Sequence, residues 1–329
     1  MKIEVNTYSK QIIRMAEEHP EILVMSADLG SSCEIKEFGQ KFPDRYLSMG
    51  IAEQNMCSWA AGMAREGFRP IIHSFSVFLY RRILDQLEMS VAYPNLPVIF
   101  VGFCVGITTP GGVTHQSTND IGVLRTIPNL AVFDIGDATE IEGVLDMAYE
   151  YNGPVYIRML RKEVPRLFPA SEPMQFDRAR VLSEGTDVTL LSSSICTEEA
   201  MRAAGALREK GVSVEHLHVS TLKPFSDPTV VEACAKAKHG VVTIENHTTI
   251  GGLGSAVADV MAENGIGKKL VKVGLNDTYA HGASKMYLVK KYGLGAMDLV
   301  HAIEKLLGKD LGITEEDLEE ERFVDFTEV

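Results

Sequence analysis

Short, unbroken apolar runs recur through this chain at a spacing that leaves room for one helix between each pair. Leu96-Pro97-Val98-Ile99-Phe100-Val101-Gly102 is the clearest. A run with no polar alternation suits a strand covered on both faces, as in a parallel sheet. Ile22–Met25, Tyr46–Met49, Arg69–Ser74, Leu130–Phe133 and Gly153–Met159 are of the same kind. Helical segments fall between them, such as 8–19, which Pro20 follows, and 138–151. Strand–helix alternation of this sort predicts a parallel sheet with helices on both faces. Val188–Leu191, Val212–Leu217 and Val241–Ile244 repeat the pattern on a smaller scale. The fold class expected is α/β, with two doubly wound, mostly parallel-sheet domains. They span 1–165 and 181–308, joined by a linker over 166–180 that holds Pro169 and Pro173. An acidic tail, 309–329, follows.

A chain of 329 residues has room for two such domains. The net charge of −13 provides no basic stripe and argues against nucleic acid. No run approaches the length of a membrane span. The N-terminus lacks the apolar core of a signal peptide. Five scattered cysteines, with no C-x-x-C, suit reduced thiols in a cytoplasmic protein and give no metal-site spacing.

Several stretches carry chemistry. Met49-Gly50-Ile51-Ala52-Glu53-Gln54-Asn55-Met56 turns from a strand into a helix rich in small residues. There Glu53 lies in or near the first turn, where the helix dipole favours a negative charge. Asp28 follows a short buried strand, in the kind of turn where open α/β sheets place ligands. Phe75 and Phe78, three apart, share a helical face, and their helix continues through Asp85-Gln86-Leu87. The loop 107–120 is long and Gly-rich and carries His115 and Gln116; such loops are often functional. Gly251-Gly252-Leu253-Gly254-Ser255 opens a helix. Its glycines suit either a phosphate cradle or close helix–sheet packing, and the incomplete dinucleotide pattern favours packing. The acidic run Glu315–Glu321 reads as a solvated helix or frayed tail.

Together these stretches resemble a known family. Gly50-Ile51-Ala52-Glu53-Gln54-Asn55-Met56, Phe75-x-x-Phe78, Gly112-Val113-Thr114-His115-Gln116, Ile127-Pro128-Asn129-Leu130, Gly153-Pro154-Val155-Tyr156-Ile157-Arg158 and Glu245-x-His247-x-x-x-Gly251-Gly252-Leu253-Gly254 fall in that order. They match the second half of transketolases over residues 5 to about 308. The resemblance implies a pyrimidine-binding domain and a C-terminal domain of a thiamine diphosphate enzyme. It implies that Glu53 faces N1′ of the cofactor's pyrimidine, that Phe75 and Phe78 form its aromatic wall, and that Asp28, Ile51 and Arg81 complete the cofactor site. Carried over in the same way, His115 reaches the donor sugar beside Gln116, and Ser32 and Arg161 grip a sugar phosphate.

The family's Gly-Asp-Gly motif, which holds Mg²⁺ and the diphosphate, is absent; Gly136-Asp137-Ala138 is the nearest approach. The resemblance is therefore to the C-terminal subunit of a split transketolase. An N-terminal subunit would supply the diphosphate and Mg²⁺ site, and a heterotetramer is implied. Departures bear on the substrate. The family's Asp four residues before the loop histidine is Gly111 here, a phosphate-binding histidine falls near Phe103, and an arginine near Asn6. These losses imply sugars other than the standard pentose phosphates, with Arg81, Arg82 and Arg158 as compensating cations. Two other readings stay open: a 2-oxo acid dehydrogenase β-type or deoxyxylulose-phosphate synthase-like subunit, and a non-catalytic subunit that kept the fold.

Overall fold

The computed structural model describes residues 2–319. The first half runs β1 (Lys2–Val5), α1 (Thr7–Glu18), β2 (Ile22–Ser26), α2 (Lys36–Lys41), β3 (Tyr46–Ser48), α3 (Glu53–Arg65), β4 (Arg69–Phe75) and α4 (Ser76–Arg81). It continues with β5 (Ile99–Phe103), α5 (Asp120–Leu124), β6 (Ala131–Asp134), α6 (Ala138–Glu150), β7 (Val155–Arg158) and β8 (Glu163–Arg166). The second half runs β9 (Arg180–Ser183), β10 (Val188–Ser192), α7 (Cys196–Glu209), β11 (Val214–His218), β12 (Thr221–Lys223), α8 (Pro228–Lys236) and β13 (Gly240–Thr248). Then come α9 (Leu253–Glu263), β14 (Leu270–Leu275), α10 (Lys285–Lys291), α11 (Ala296–Leu307) and α12 (Glu315–Glu319).

The expected α/β architecture is present. One sheet has the order β12-β6-β7-β5-β4-β2-β3, and the other β14-β13-β10-β11-β9. Within these two sheets all neighbours are parallel except the edge strands β12 and β9, and β1 and β8 form a separate antiparallel pair. Successive side chains alternate between faces. Ile72 and Phe100 therefore pack with Met56 and Ala60 of α3, while Ile71, Ile99 and Val101 pack with Ile12 of α1 and Val144 of α6. The chain leaves β2 toward β3 on one side and returns to β4 on the other. That reversal opens a crevice at the carboxyl ends of β2 and β4, where such sheets bind ligands.

The two halves interlock. Strand β12 pairs antiparallel with β6 of the first sheet. Arg158, at the end of β7, is fully buried. It bonds Asp120 (2.9 Å), Asp134 (2.8 Å) and the main-chain carbonyls of Ser117 (3.2 Å) and Asn246 (3.0 Å). Burial alone would lower its pKa, but Asp120 and Asp134 outweigh that and hold it above the usual range. Such a residue cannot serve as a compensating substrate cation, which corrects that expectation.

Three further expectations change. Phe75 ends β4 rather than sharing a helical face with Phe78, which lies in α4. The helix does not run on through Asp85–Leu87; a π-helical segment, Gln86–Ala92, follows α4. The start of the acidic tail is docked and not free. Leu318 of α12 is fully buried, and its carbonyl accepts from Arg202 of α7 at 3.2 Å. Two apolar residues, Ile313 and Leu318, settle onto α7 and α11, which charge counting along the tail hid. Glu320, Glu321 and the rest of the tail lie outside the described residues. All five cysteines are buried and free. Among the described residues no helix is long and apolar enough to cross a membrane.

Candidate active site

Gly50, at φ 68°, turns the chain from β3 toward α3, a conformation that favours glycine. The turn delivers Glu53 to the first position of α3. The carboxylate is only 4% exposed, and its Oε1 accepts from an Arg82 Nη1 2.7 Å away. The Arg82 guanidinium in turn lies 3.8 Å from the centre of the Phe78 ring. Phe78 and Phe75 are stacked, with ring centres 5.9 Å apart and planes 28° apart. One comes from a strand end and the other from a helix, yet the two rings lie side by side.

The loop 107–120 brings His115 edge-on to both rings, at 6.1 Å from Phe75 and 5.6 Å from Phe78. Its Nδ1 lies 2.9 Å from the Thr114 hydroxyl. Gly111 makes this approach possible, since a Cβ there would sit 2.9 Å from the His115 Cβ. Gln116 is buried; its amide donates to the carbonyls of Thr109 and His281, both at 3.3 Å, while its Oε1 is buried with no partner among the described residues. Arg81 is exposed and bonds the Tyr80 hydroxyl (2.7 Å) and the Val113 carbonyl (3.3 Å), tying α4 to the loop. Arg161 donates to the Ser32 carbonyl at 3.2 Å and lies 5.6 Å from the Phe75 ring centre. Asp28 follows β2 at φ 60° and is exposed, as is Ile51.

The structure thus brings Glu53, Phe75, Phe78, His115 and Arg161 around one crevice. Asp28 and Ile51 are exposed and make no side-chain hydrogen bond or ring contact with these five among the described residues. Asn6 caps the start of α1 without a side-chain bond, and Phe103 is buried against Tyr8. Sequence reasoning weighed Arg82 only as a spare cation and missed its contact with Glu53. The spacing of Arg82, four residues beyond Phe78, signals only the contact with that ring.

The glycine run 251–254 is a packing device, as expected. A Cβ on Gly252 would overlap the Glu245 carboxylate, and one on Gly251 would sit 2.8 Å from Gly122 of the first half. The N–H groups of Leu253 and Gly254 donate to Glu245 at 2.7 and 2.9 Å. An internal carboxylate fills the cradle. Among the described residues no cluster of three or more His, Cys, Asp or Glu is arranged to hold a metal ion.

The description "Transketolase, pyrimidine binding domain" matches residues 4–166, and "Transketolase, C-terminal domain" matches residues 177–299. A putative transketolase C-terminal section from Methanocaldococcus jannaschii is 36% identical over 306 residues, covering 92% of this chain and 96% of that one. This chain belongs to the transketolase family. A 6-deoxy-6-sulfo-D-fructose transketolase subunit from Clostridium sp. is 37% identical, covering 92% of this chain and 93% of the relative. Among solved structures, one described as a split gene transketolase, inactive beta4 tetramer, superimposes with a TM-score of 0.84 at 38% identity. It covers 92% of this chain and 97% of that chain. Within the transketolase frame, the crevice at β2 and β4 belongs to the pyrimidine-binding domain.

Proposed function

We propose that this chain is the pyrimidine-binding half of a two-chain, thiamine diphosphate-dependent transketolase that moves a two-carbon ketol unit from a ketose to an aldose. The observation that carries the reading is the buried Glu53 carboxylate set against the stacked Phe75 and Phe78 rings. A flat heterocycle fits that arrangement: the rings give it a face, and the carboxylate gives it a hydrogen bond at one edge. When bound, thiamine diphosphate supplies the nucleophilic carbon and the electron sink. Glu53 holds a proton at the pyrimidine N1′, in a crevice dry enough to keep that hydrogen bond strong. Phe75 and Phe78 orient the ring, with Asp28, Ile51 and Arg81 around it. His115 reaches the donor's hydroxyl end beside Gln116, and Arg161, with Ser32, faces the sugar's far end. Mg²⁺ and the diphosphate fall to a partner subunit with a Gly-Asp-Gly motif, within a heterotetramer. The neighbour described as an inactive tetramer of one subunit type supports that division.

Neither Phe103 nor Asn6 offers a cation, and Arg158 is locked away. We infer a sugar whose terminal group is not the phosphate of the standard pentose pair. The Clostridium relative, a subunit for a sulfosugar, supports this. The test is a ketol-transfer assay on the chain combined with its partner. Activity on a sulfosugar or unphosphorylated ketose is expected. Full activity with xylulose 5-phosphate and ribose 5-phosphate refutes the substrate reading, and pyruvate decarboxylation without ketol transfer refutes the reaction.

A further inference from the structure

The reading above gives Glu53 and Phe78 to a bound heterocycle, yet both are already engaged by Arg82. Resting on that reading, we propose that Arg82 is a stand-in for the cofactor's aminopyrimidine: it holds the ring's place in the unloaded chain and is displaced on loading.

The guanidinium suits the part. It is flat, delocalised and weakly hydrated, so it stacks on aromatic faces and donates to carboxylates in one geometry. Here it does both at once, 3.8 Å from the centre of the Phe78 ring and 2.7 Å from Glu53 Oε1. A pyrimidine lying on that wall needs the same two contacts. Glu53 explains why a stand-in is useful. A carboxylate that is 4% exposed is costly to leave without a partner. Arg82 meets that need, and its side chain remains 43% exposed, so a path to solvent is open. Arg158 shows the contrast, since its two carboxylate partners leave it no exposed surface.

The contact opposes loading. Only the fraction of chains with Arg82 swung out accepts the ring, and apparent affinity falls by that fraction. Loading is then an exchange of one stacked hydrogen-bonding group for another. The Glu53 charge stays neutralised until the ring arrives.

The experiment measures thiamine diphosphate binding to the two-chain complex by equilibrium dialysis, alongside thermal unfolding of the chain without cofactor. Arg82→Ala and Arg82→Gln should bind the cofactor about tenfold more tightly than the unaltered complex. Without cofactor, the same variants should unfold at lower temperature, because Glu53 has lost its partner. In a Glu53→Ala background the Arg82→Ala change should shift affinity much less, since the contact being relieved is already gone. Unchanged or weaker binding by both Arg82 variants overturns the proposal and leaves the cofactor reading intact. A two-chain complex that does not bind thiamine diphosphate at all removes that reading, and the stand-in role with it.

Discussion

Glu245 lies outside the crevice, and its burial gives it a testable signature. Burial pushes its carboxyl up to about 7, against the opposing pull of the Gly254 and Leu253 N–H groups. A folded-state value above the unfolded one means the native chain holds the extra proton between about pH 4.5 and 7. Stability contributed here is present below that window and is lost as pH rises through it. Glu245→Gln cannot titrate. Its melting temperature, compared with the unaltered chain at each pH, should gain steadily from pH 5 to 7 and level off above. A difference that is flat across that range would show that the carboxyl does not titrate there. At this scale the placement of Glu53 in the first turn of α3 was readable from Gly50 and the small residues that follow, whereas its role was implied only by the resemblance. Its pairing with Arg82 was not readable, since it joins two helices brought together only by the sheet.

The elements were mostly readable because each strand is an uninterrupted apolar run and each helix has its own face. What escaped was the seam between the halves. Arg158 ends a strand whose apolar pattern says nothing of the two aspartates waiting for it, one from α5 and one from β6. Its guanidinium also reaches the Asn246 carbonyl of β13, so one side chain ties three strands and a helix. Removing one member of such a cluster strands the others without compensation. Arg158→Met should destabilise the chain by about 3–5 kcal/mol, read from chemical denaturation. A loss below about 1 kcal/mol would mean that the buried ions contribute little beyond what a well-packed apolar side chain provides. The docked start of the acidic segment was hidden for a related reason: two apolar side chains decide its placement among many charges that decide nothing.

For the whole molecule, the outward side of α3 matters most. Trp59 of α3 is 51% exposed, and Met89 of the π-helical segment packed against α3 is 52% exposed. We expect a second protein to cover large apolar groups exposed in this way. Trp59 is the chain's only tryptophan, so it reports on that surface without labelling. Its emission should move to shorter wavelength when the chain assembles with its partner or with itself. Trp59→Arg should leave far-UV circular dichroism unchanged while blocking assembly in size-exclusion chromatography. Unaltered emission in an assembled species would place the interface elsewhere.

Strand β12 comes late in the chain but completes the edge of the earlier sheet, beside β6. The two visible halves are therefore not separable building blocks. A fragment ending in the connecting segment would expose the flank of β6 as bare backbone, while the remainder would carry an orphan strand with no sheet to join. For anyone trimming, swapping or fusing this protein, the natural unit of engineering is both halves together.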